Sequence, residues 1–271
     1  MKKRRRKTKR LKPIQKFVAG ASLIIAVLVI AIIITAANSG NRQEPDSEAT
    51  TAPATAVPAE KTSHYINGVG VTAQGSTDEV AACETYALSA LMGYLKIDFD
   101  VKDFGENYLI KSPISYDDDF NRCGPDMYTA FAGDLEEGYG IYAPAMTSSI
   151  NSFLSAKGRR ERASDIYGKT LEELCREYID RDIPVMIWAN AYMQEPEEYV
   201  TWIVDTVDEN ARTKKGELFE WPCNEHCMLL IGYDEDSYFL SDSVAGEISE
   251  FDREDSEKSY AGFGRQAIVI Q

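Results

Sequence analysis

An apolar segment without a charged residue lies close to the amino terminus and limits how the whole chain can be arranged. Residues 17–37 read FVAGASLIIAVLVIAIIITAA, and about 20 such residues suffice for a helix to cross a bilayer. Lys and Arg cluster directly before this segment, and such a flank stays in the cytoplasm. We therefore expect a signal anchor, with everything after it outside the cell. A cleaved signal peptide is the alternative, but its apolar region usually spans only about 7–15 residues.

Charge divides the chain into unlike parts. Residues 1–16 form a basic cytoplasmic tail that holds ten of the 29 Lys and Arg residues and none of the 44 acids, so residues 17–271 carry a net charge of −25. An acidic exterior argues against nucleic-acid binding, which needs a basic surface. Residues 38–63 are rich in Ala, Thr, Pro and Glu and contain little to bury. They are predicted to form a disordered stalk that carries a globular domain over residues 64–271.

A cysteine at the start of an apolar helix is the leading candidate for a reactive group. Residues 74–95 read QGSTDEVAACETYALSALMGYL, in which turn and cap formers precede Cys83. Apolar residues then recur at three- and four-residue steps, namely Ala87, Leu88, Leu91, Met92 and Leu95. Cys83 is therefore predicted in the first turn of a buried helix. There, unpaired amides and the positive end of the helix dipole favour a thiolate over a thiol.

A histidine far downstream can serve as the base for this thiol. His64 lies at the edge of the stalk, so His226 is the one histidine available to a buried site. It follows Cys83 by 143 residues, within the roughly 130–150 typical of papain-type cysteine peptidases. Residues 227–233 and 238–241 are predicted as strands of a hairpin, which places Asp242 diagonal to His226 and within reach of a hydrogen bond. A nucleophile, a base and a group that orients the base form a catalytic triad.

The oxyanion of a tetrahedral intermediate needs hydrogen-bond donors. The Cys83 amide at the helix start is one candidate donor, and the side chain of Gln74, nine residues earlier, is another. Position alone would favour an exposed loop amide for Gln74. The order Gln, Cys, His, Asp at these spacings favours catalysis.

Other uses of the cysteines stay open at this stage. Cys123 begins a Cys-Gly-Pro sequence, but no strong apolar helix follows it, and Cys83 is therefore preferred as the nucleophile. A zinc site could draw on Cys223, Glu225, His226 and Cys227, although structural zinc sites usually add a second, distant pair of ligands that is missing here. No metal and no cofactor is therefore predicted. Five cysteines also allow disulfides outside the cell, with a pairing that the sequence does not determine.

The order of elements indicates an α+β domain. Apolar periodicity predicts helices over residues 148–156 and 170–182, the second opened by a Thr170–Glu173 capping box. Strands are predicted over 65–71, 185–189 and 267–270, together with the hairpin, whereas residues 190–220 receive no assignment. We thus expect a helical first half and an antiparallel second half.

Several motifs together resemble one family, the bacteriocin-processing-peptidase-like cysteine peptidases, and more closely its stand-alone, surface-anchored Gram-positive members. The similarity extends over roughly residues 65–271 and keeps the order of the family's motifs. The matching residues are Gln74, Cys83-Glu84, Phe104, Tyr108-Leu109, the 130–140 loop AFAGDLEEGYG, the 183–188 run IPVMIW, Glu225-His226-Cys227, Ile231-Gly232-Tyr233-Asp234 and Gly264-Arg265-Gln266-Ala267.

The resemblance implies a papain-like fold with Cys83 as nucleophile, His226 as base, Asp242 as orienting residue and Gln74 in the oxyanion hole. Two positions depart from the family pattern: Ala82 replaces the usual glycine before the cysteine, and Ser243 replaces a proline after Asp242. Neither change removes a reacting group. The chain lacks the nucleotide-binding motif of the family members that are fused to an export ATPase, so cleavage of leader peptides is not implied.

These observations predict a membrane-anchored extracellular cysteine peptidase that hydrolyses a peptide or related amide through an acyl-enzyme. Its expected partners are an unidentified peptide or protein substrate and the membrane, through residues 17–37. The same groups would serve a cell-wall amidase or transpeptidase. A catalytically silent papain-like domain that binds peptides is the alternative from another class.

Overall fold

The computed structural model describes residues 61–75 and 82–271, which form a mixed α+β domain. The predicted tail, membrane segment and most of the stalk lie outside these residues. Within the described part, no helix is long and apolar enough to span a membrane. The helices are α1 Cys83–Tyr94, α2 Val101–Asn107, α3 Ala143–Ala156, α4 Leu171–Glu177 and α5 Arg253–Gly262, with short 3₁₀ turns at Ile179–Arg181 and Ala191–Met193.

Strands occur along the whole described chain. They are β1 His64–Tyr65, β2 Lys111–Ser112, β3 Ser115–Tyr116, β4 Arg122–Pro125, β5 Phe131–Ala132, β6 Ala163–Asp165, β7 Val185–Asn190, β8 Tyr199–Thr206, β9 Leu218–Pro222, β10 Glu225–Tyr233, β11 Ser237–Asp242, β12 Glu247–Asp252 and β13 Ala267–Ile270.

A central antiparallel sheet positions the candidate site. Its strand order is β12-β11-β10-β7-β13-β6, and β1 pairs with the far end of β10. Every residue of β10 is buried, because helices cover both faces of the sheet. Alternate residues of β10 point to opposite faces. Cys227, Leu229 and Ile231 join the core that contains α1 and α3, whereas Met228 and Leu230 join the core formed with α4 and α5.

A second, four-stranded sheet packs beside the main core, in the order β3-β4-β8-β9. The β4 and β8 strands run parallel, with Cys123 opposite Ile203. The buried Trp202 of β8 anchors this sheet through an indole N–H that donates to the Pro125 carbonyl at 2.8 Å. Cys123 is therefore a sheet residue, not the start of a helix.

Several sequence predictions agree with these elements. Helix α1 begins at Cys83, and β13 spans residues 267–270 as predicted. The capping box of α4 is present: the Glu173 amide donates to Thr170 Oγ1 at 3.1 Å, and the Thr170 amide donates to Glu173 Oε2 at 2.8 Å. Both ends of the box satisfy N–H groups that the first helical turn leaves unpaired.

Other predictions were wrong in extent or missed an element. The strand expected over 65–71 is only the two residues of β1, since its glycine-rich continuation makes no further ladder. The unassigned 190–220 segment contains β8 and β9, and α5 and β12 were missed. The division into a helical first half and an antiparallel second half is only partial. Four short strands lie between residues 111 and 132, and the β2–β5 and β4–β8 pairs are parallel.

Candidate active site

His226 and Asp242 meet across the β10–β11 hairpin. Leu229 pairs with Ser241, so Asp242, one residue further, lies diagonal to His226 as the hairpin predicted. His226 Nε2 and Asp242 Oδ1 are 2.9 Å apart, and both side chains are buried. A carboxylate only accepts hydrogen bonds, so the neutral ring carries its proton on Nε2. The Nδ1 atom is then the one that can act as a base.

The Asp242 carboxylate is itself fixed by its surroundings. Its Oδ1 also accepts hydrogen bonds from the amides of Val244 at 2.9 Å and Ala245 at 3.1 Å, and Ser249 Oγ donates to Oδ2 at 3.3 Å. Burial alone would raise the pKa of Asp242. The hydrogen bond and charge of His226, together with the two amides, outweigh burial and lower this pKa below its ordinary value. Asp242 is therefore an ionised acceptor.

Gln74 lies next to this pair through its backbone. The Gln74 amide donates to the Ser243 carbonyl at 2.8 Å, one residue beyond Asp242. The side-chain oxygen of Gln74 is buried and has no hydrogen-bond partner. The backbone of Gln74 is thus held beside Asp242, and the unpaired atom of its side chain is the acceptor oxygen.

Cys83 is the first residue of α1 and follows Ala82, whose backbone is extended. Its Sγ accepts a hydrogen bond from the Cys227 amide at 3.3 Å and donates to Glu84 Oε2 at 3.6 Å. The thiol thus contacts the strand that carries His226. Among the described residues, however, Cys83 and His226 form no hydrogen bond with each other. The thiol faces Glu84 instead.

The expectation of a thiolate at the helix start was wrong for this conformation. Burial raises the pKa of the Cys83 thiol well above its ordinary value, and the negative charges of Glu84 and Glu225 raise it further. The hydrogen bond from the Cys227 amide lowers this pKa but does not compensate. Desolvation disfavours the charged form of a buried thiol, and here it outweighs the helix dipole. Cys83 is therefore a neutral thiol in this arrangement.

Two buried acids beside Cys83 were missed as site residues. Glu84 is fully buried, and its Oε1 accepts a hydrogen bond from the Ile141 amide at 2.7 Å. Glu225 is 8% exposed, and neither of its carboxylate oxygens has a hydrogen-bond partner. Each of three residues contributes one atom that could bind a metal ion, and these atoms all lie within 4.8 Å of one another: Cys83, Glu84 and Glu225. Burial raises the pKa of both carboxyls, and their mutual repulsion raises that of Glu225 further.

A signal for these acids was present in the sequence. Glu84 precedes Leu88 by four residues and Leu91 by seven, so it falls on the apolar face of α1. Glu225 precedes Cys227 by two residues and therefore shares its face of β10. An acid on each of two buried faces is unusual enough to indicate a functional role.

The four zinc ligands considered from the sequence do not come together. Cys223 is exposed, and the cluster of potential metal-ligand atoms found among the described residues joins Glu225 to Cys83 and Glu84, without His226 or Cys227. All five cysteines are free, so the structure contains no disulfide among residues 61–75 and 82–271. Cys175 is buried in the core of α4, as its place in the apolar stripe predicted.

The arrangement has the parts required for nucleophilic acyl transfer. An oriented imidazole, a thiol at a helix start and a glutamine side chain lie on neighbouring segments. These groups match the roles of base, nucleophile and oxyanion donor.

Comparison with known proteins gives consistent matches over the same part of the chain. The model of the Peptidase_C39 like family matches residues 66–268. The uncharacterized protein YvpB of Bacillus subtilis (strain 168) is 24% identical over 191 residues, covering 70% of this chain and 68% of that protein. The crystal structure of a putative C39-like peptidase from Bacillus anthracis is 25% identical with a TM-score of 0.62, covering 78% of this chain and 98% of that one.

Proposed function

Because the chain belongs to the Peptidase_C39 like family of papain-like cysteine peptidases, we propose that it hydrolyses a peptide or related amide bond through a Cys83–His226–Asp242 triad. The observation that carries this proposal is the buried His226–Asp242 pair, 2.9 Å apart, whose histidine lies on the strand that also contacts the Cys83 thiol. The pair fixes the tautomer in which Nδ1 is free to accept a proton.

The proposed reaction begins when His226 Nδ1 takes the proton of the Cys83 thiol. The thiolate attacks the carbonyl carbon of the scissile bond, and the oxyanion accepts hydrogen bonds from the Cys83 amide and the Gln74 side-chain NH₂. Collapse of this intermediate breaks the C–N bond, and the imidazolium protonates the leaving amine. Water, deprotonated by His226, then hydrolyses the acyl-enzyme and regenerates the thiol.

This mechanism requires the thiol to turn from Glu84 toward His226. Rotation about the Cα–Cβ bond moves Sγ between staggered positions, and the weak hydrogen bond to Glu84, 3.6 Å long, offers little resistance. A bound substrate that excludes water from the site would strengthen the attraction between thiolate and imidazolium. We therefore assign the described position of Cys83 to a resting state.

Location outside the cell is part of the same proposal and depends on the sequence. The uncharged segment 17–37 and the basic residues before it support a single-pass anchor with a cytoplasmic amino terminus. The domain would then act on peptides at the outer face of the membrane, held there by residues 38–63.

One observation favours a second candidate function. The Cys83 thiol is buried, has a raised pKa and donates to Glu84 instead of His226, an arrangement that suits a domain that keeps the fold only to bind peptides. In that case the Cys83 and His226 side chains would contribute packing and no chemistry.

The test combines a peptide-library digest, read by mass spectrometry, with trapping of the nucleophile by a peptidyl vinyl sulfone. Both assays contain a metal chelator. We expect cleavage and a single adduct on Cys83 in the wild type, and neither in Cys83→Ala or His226→Ala. Cys123→Ala is the matched control and should behave as the wild type. Peptide binding in the wild type without cleavage or adduct would refute the peptidase and favour the silent domain.

A further inference from the structure

Three buried residues, one of them the candidate nucleophile, bring potential metal-ligand atoms close together. Cys83 Sγ and one carboxylate oxygen from each of Glu84 and Glu225 all lie within 4.8 Å of one another. The proposed reaction uses only the first of these three groups. The two carboxyls therefore need a separate explanation.

The two carboxyls lack a compensating positive charge. Among the described residues, no Lys or Arg forms an ion pair with Glu84 or Glu225, and the imidazole of His226 is the only basic group that acts on Glu84. The Trp221 indole N–H lies near Glu225 and lowers the pKa of its carboxyl, but it does not reach hydrogen-bond geometry. Cys227 and Tyr142 add no positive charge. An unpaired buried carboxylate costs several kcal/mol. A cation or shared protons must therefore stabilise the pair.

A glycine keeps space open between the two carboxylates. A Cβ atom at Gly140 would lie 2.9 Å from Glu84 Oε1 and 3.0 Å from Glu225 Oε2, closer than Cβ atoms normally approach other atoms. Any side chain here would occupy the gap on which both carboxylates converge. The absence of a side chain at Gly140 thus leaves room for the two carboxylates, beside the Met127 methyl group, which lies 2.9 Å from the same point.

We propose that Cys83, Glu84 and Glu225 bind a divalent cation of the zinc class. A thiolate ligand favours zinc over magnesium or calcium, which prefer oxygen ligands throughout. Tetrahedral bonds to one sulfur and two oxygens place the ligand atoms about 3.3–3.8 Å apart, so only modest side-chain shifts are needed from the spacing present. Water supplies the fourth ligand.

Metal binding would remove the weak hydrogen bond from Cys83 to Glu84 but keep two hydrogen bonds that backbone amides donate to the ligands. The Cys227 amide already donates to Cys83 Sγ, and the Ile141 amide donates to Glu84 Oε1. Such outer contacts orient the ligands of a metal site. The Cys83 proton leaves to solvent as the S–Zn bond forms, and no group changes its oxidation state.

The cation would act as a reversible inhibitor, an inference that rests on the proposed peptidase function. A thiolate bound to zinc on the Glu84 side cannot reach the Nδ1 atom of His226. The Cys83 sulfur can therefore bind the metal or attack a substrate, but not both at once. Removal of the metal would free the Cys83 sulfur for the reaction.

The experiment uses Co²⁺ as a spectroscopic substitute for Zn²⁺, added to the full-length chain freed of metal by a chelator. We expect a thiolate-to-cobalt charge-transfer band that Zn²⁺ abolishes by competition. Cys83→Ser should remove the band, and Glu225→Gln should weaken Co²⁺ binding by at least about 10-fold. The matched controls are Cys223→Ser, which removes an exposed thiol, and Glu220→Gln, which alters an exposed acid on β9. Both should bind as the wild type does.

A second measurement covers the case in which a variant fails to fold. Zn²⁺ should raise the melting temperature of the wild type, because a ligand that binds the native state stabilises it. Absence of the thiolate band, or its persistence in folded Cys83→Ser, would overturn the proposal and assign the carboxyl pair to shared protons. These readouts need no substrate, so failure of the metal site and failure of the peptidase are distinguishable.

Discussion

Asp242→Asn should lower kcat/KM by only about 10-fold, because the amide can keep His226 in its working tautomer. Asp242 Oδ1 accepts hydrogen bonds from three donors: His226 Nε2 and the amides of Val244 and Ala245. Backbone amides only donate, so the oxygen of an asparagine must occupy the same position. Its NH₂ group would then face the Ser249 hydroxyl, which can accept.

The magnitude follows from the charge that is lost. A hydrogen bond to a charged group contributes about 1.5–3 kcal/mol, against about 0.5–1.5 kcal/mol for a neutral one. The difference, about 1–2 kcal/mol, corresponds to roughly 5–30-fold in rate. Asp242→Ala would leave the histidine without an orienting partner. Loss of tautomer control costs about 10⁴-fold in a serine-protease triad, so we expect at least about 10³-fold here.

The assay measures kcat/KM of folded variants on a peptide selected by the library digest, with a chelator present. Asp236→Asn, in the turn at the other end of the same hairpin, is the matched control and should leave kcat/KM unchanged. A loss beyond about 10³-fold in Asp242→Asn would refute the hydrogen-bond argument. Wild-type activity in this variant would show that the carboxylate charge contributes nothing.

Three further predictions concern stability. Thr170→Ala removes the cap of α4 and should reduce the free energy of unfolding by about 1 kcal/mol in urea denaturation. In Gly138→Ala, the new methyl group would overlap the Phe131 ring, and the same measurement should show a loss of about 1–3 kcal/mol. The lowered pKa of Asp242 adds stability above the unfolded value of about 3.9, and this contribution is lost as pH falls through the folded pKa. Asp242→Asn should therefore show a shallower loss of stability below about pH 4.

The controls use nearby positions that lack the contact in question. Gly93→Ala is the reference for Gly138→Ala, because its new methyl group meets open space. Gly158→Ala also meets open space, but the positive φ of Gly158 would add backbone strain. Glu172→Ala, in the same first turn as Thr170 but outside the capping box, serves for α4. A Thr170→Ala protein as stable as the wild type would contradict the capping argument. A Gly138→Ala protein of wild-type stability would contradict the packing argument. An unchanged acid slope in Asp242→Asn would show that other carboxyls govern acid unfolding.

Local patterns in the sequence were sufficient for several parts of the site. The apolar steps after Cys83 predicted a helix that begins at that residue, because helical periodicity is local. The short turn after Tyr233 predicted the hairpin, and a one-residue irregularity between Leu230 and Gly232 completes the register that brings Asp242 to His226. Both inferences depend on residues close together in the chain.

Pairing between distant segments was beyond such reasoning. The β4 strand pairs with β8, which follows it by more than 70 residues, and β4, with only four residues, is too short to be recognised alone. The apolar residues of β8 and β9 pack against a sheet whose other half lies far away in the sequence. Tertiary contacts decided their structure.

The sequence by itself determined the helix start at Cys83, the hairpin that joins His226 to Asp242 and the family resemblance, because each is encoded by short-range spacing. Only the tertiary structure decided the electrostatic state of the site. Glu84 and Glu225 are 141 residues apart in the chain, and packing of α1 on β10 brings both to the Cys83 thiol. That convergence removes Cys83 from water and places two negative carboxylates beside it. Both effects raise the pKa of Cys83, the candidate nucleophile, and favour the thiol over the thiolate that the helix start predicted.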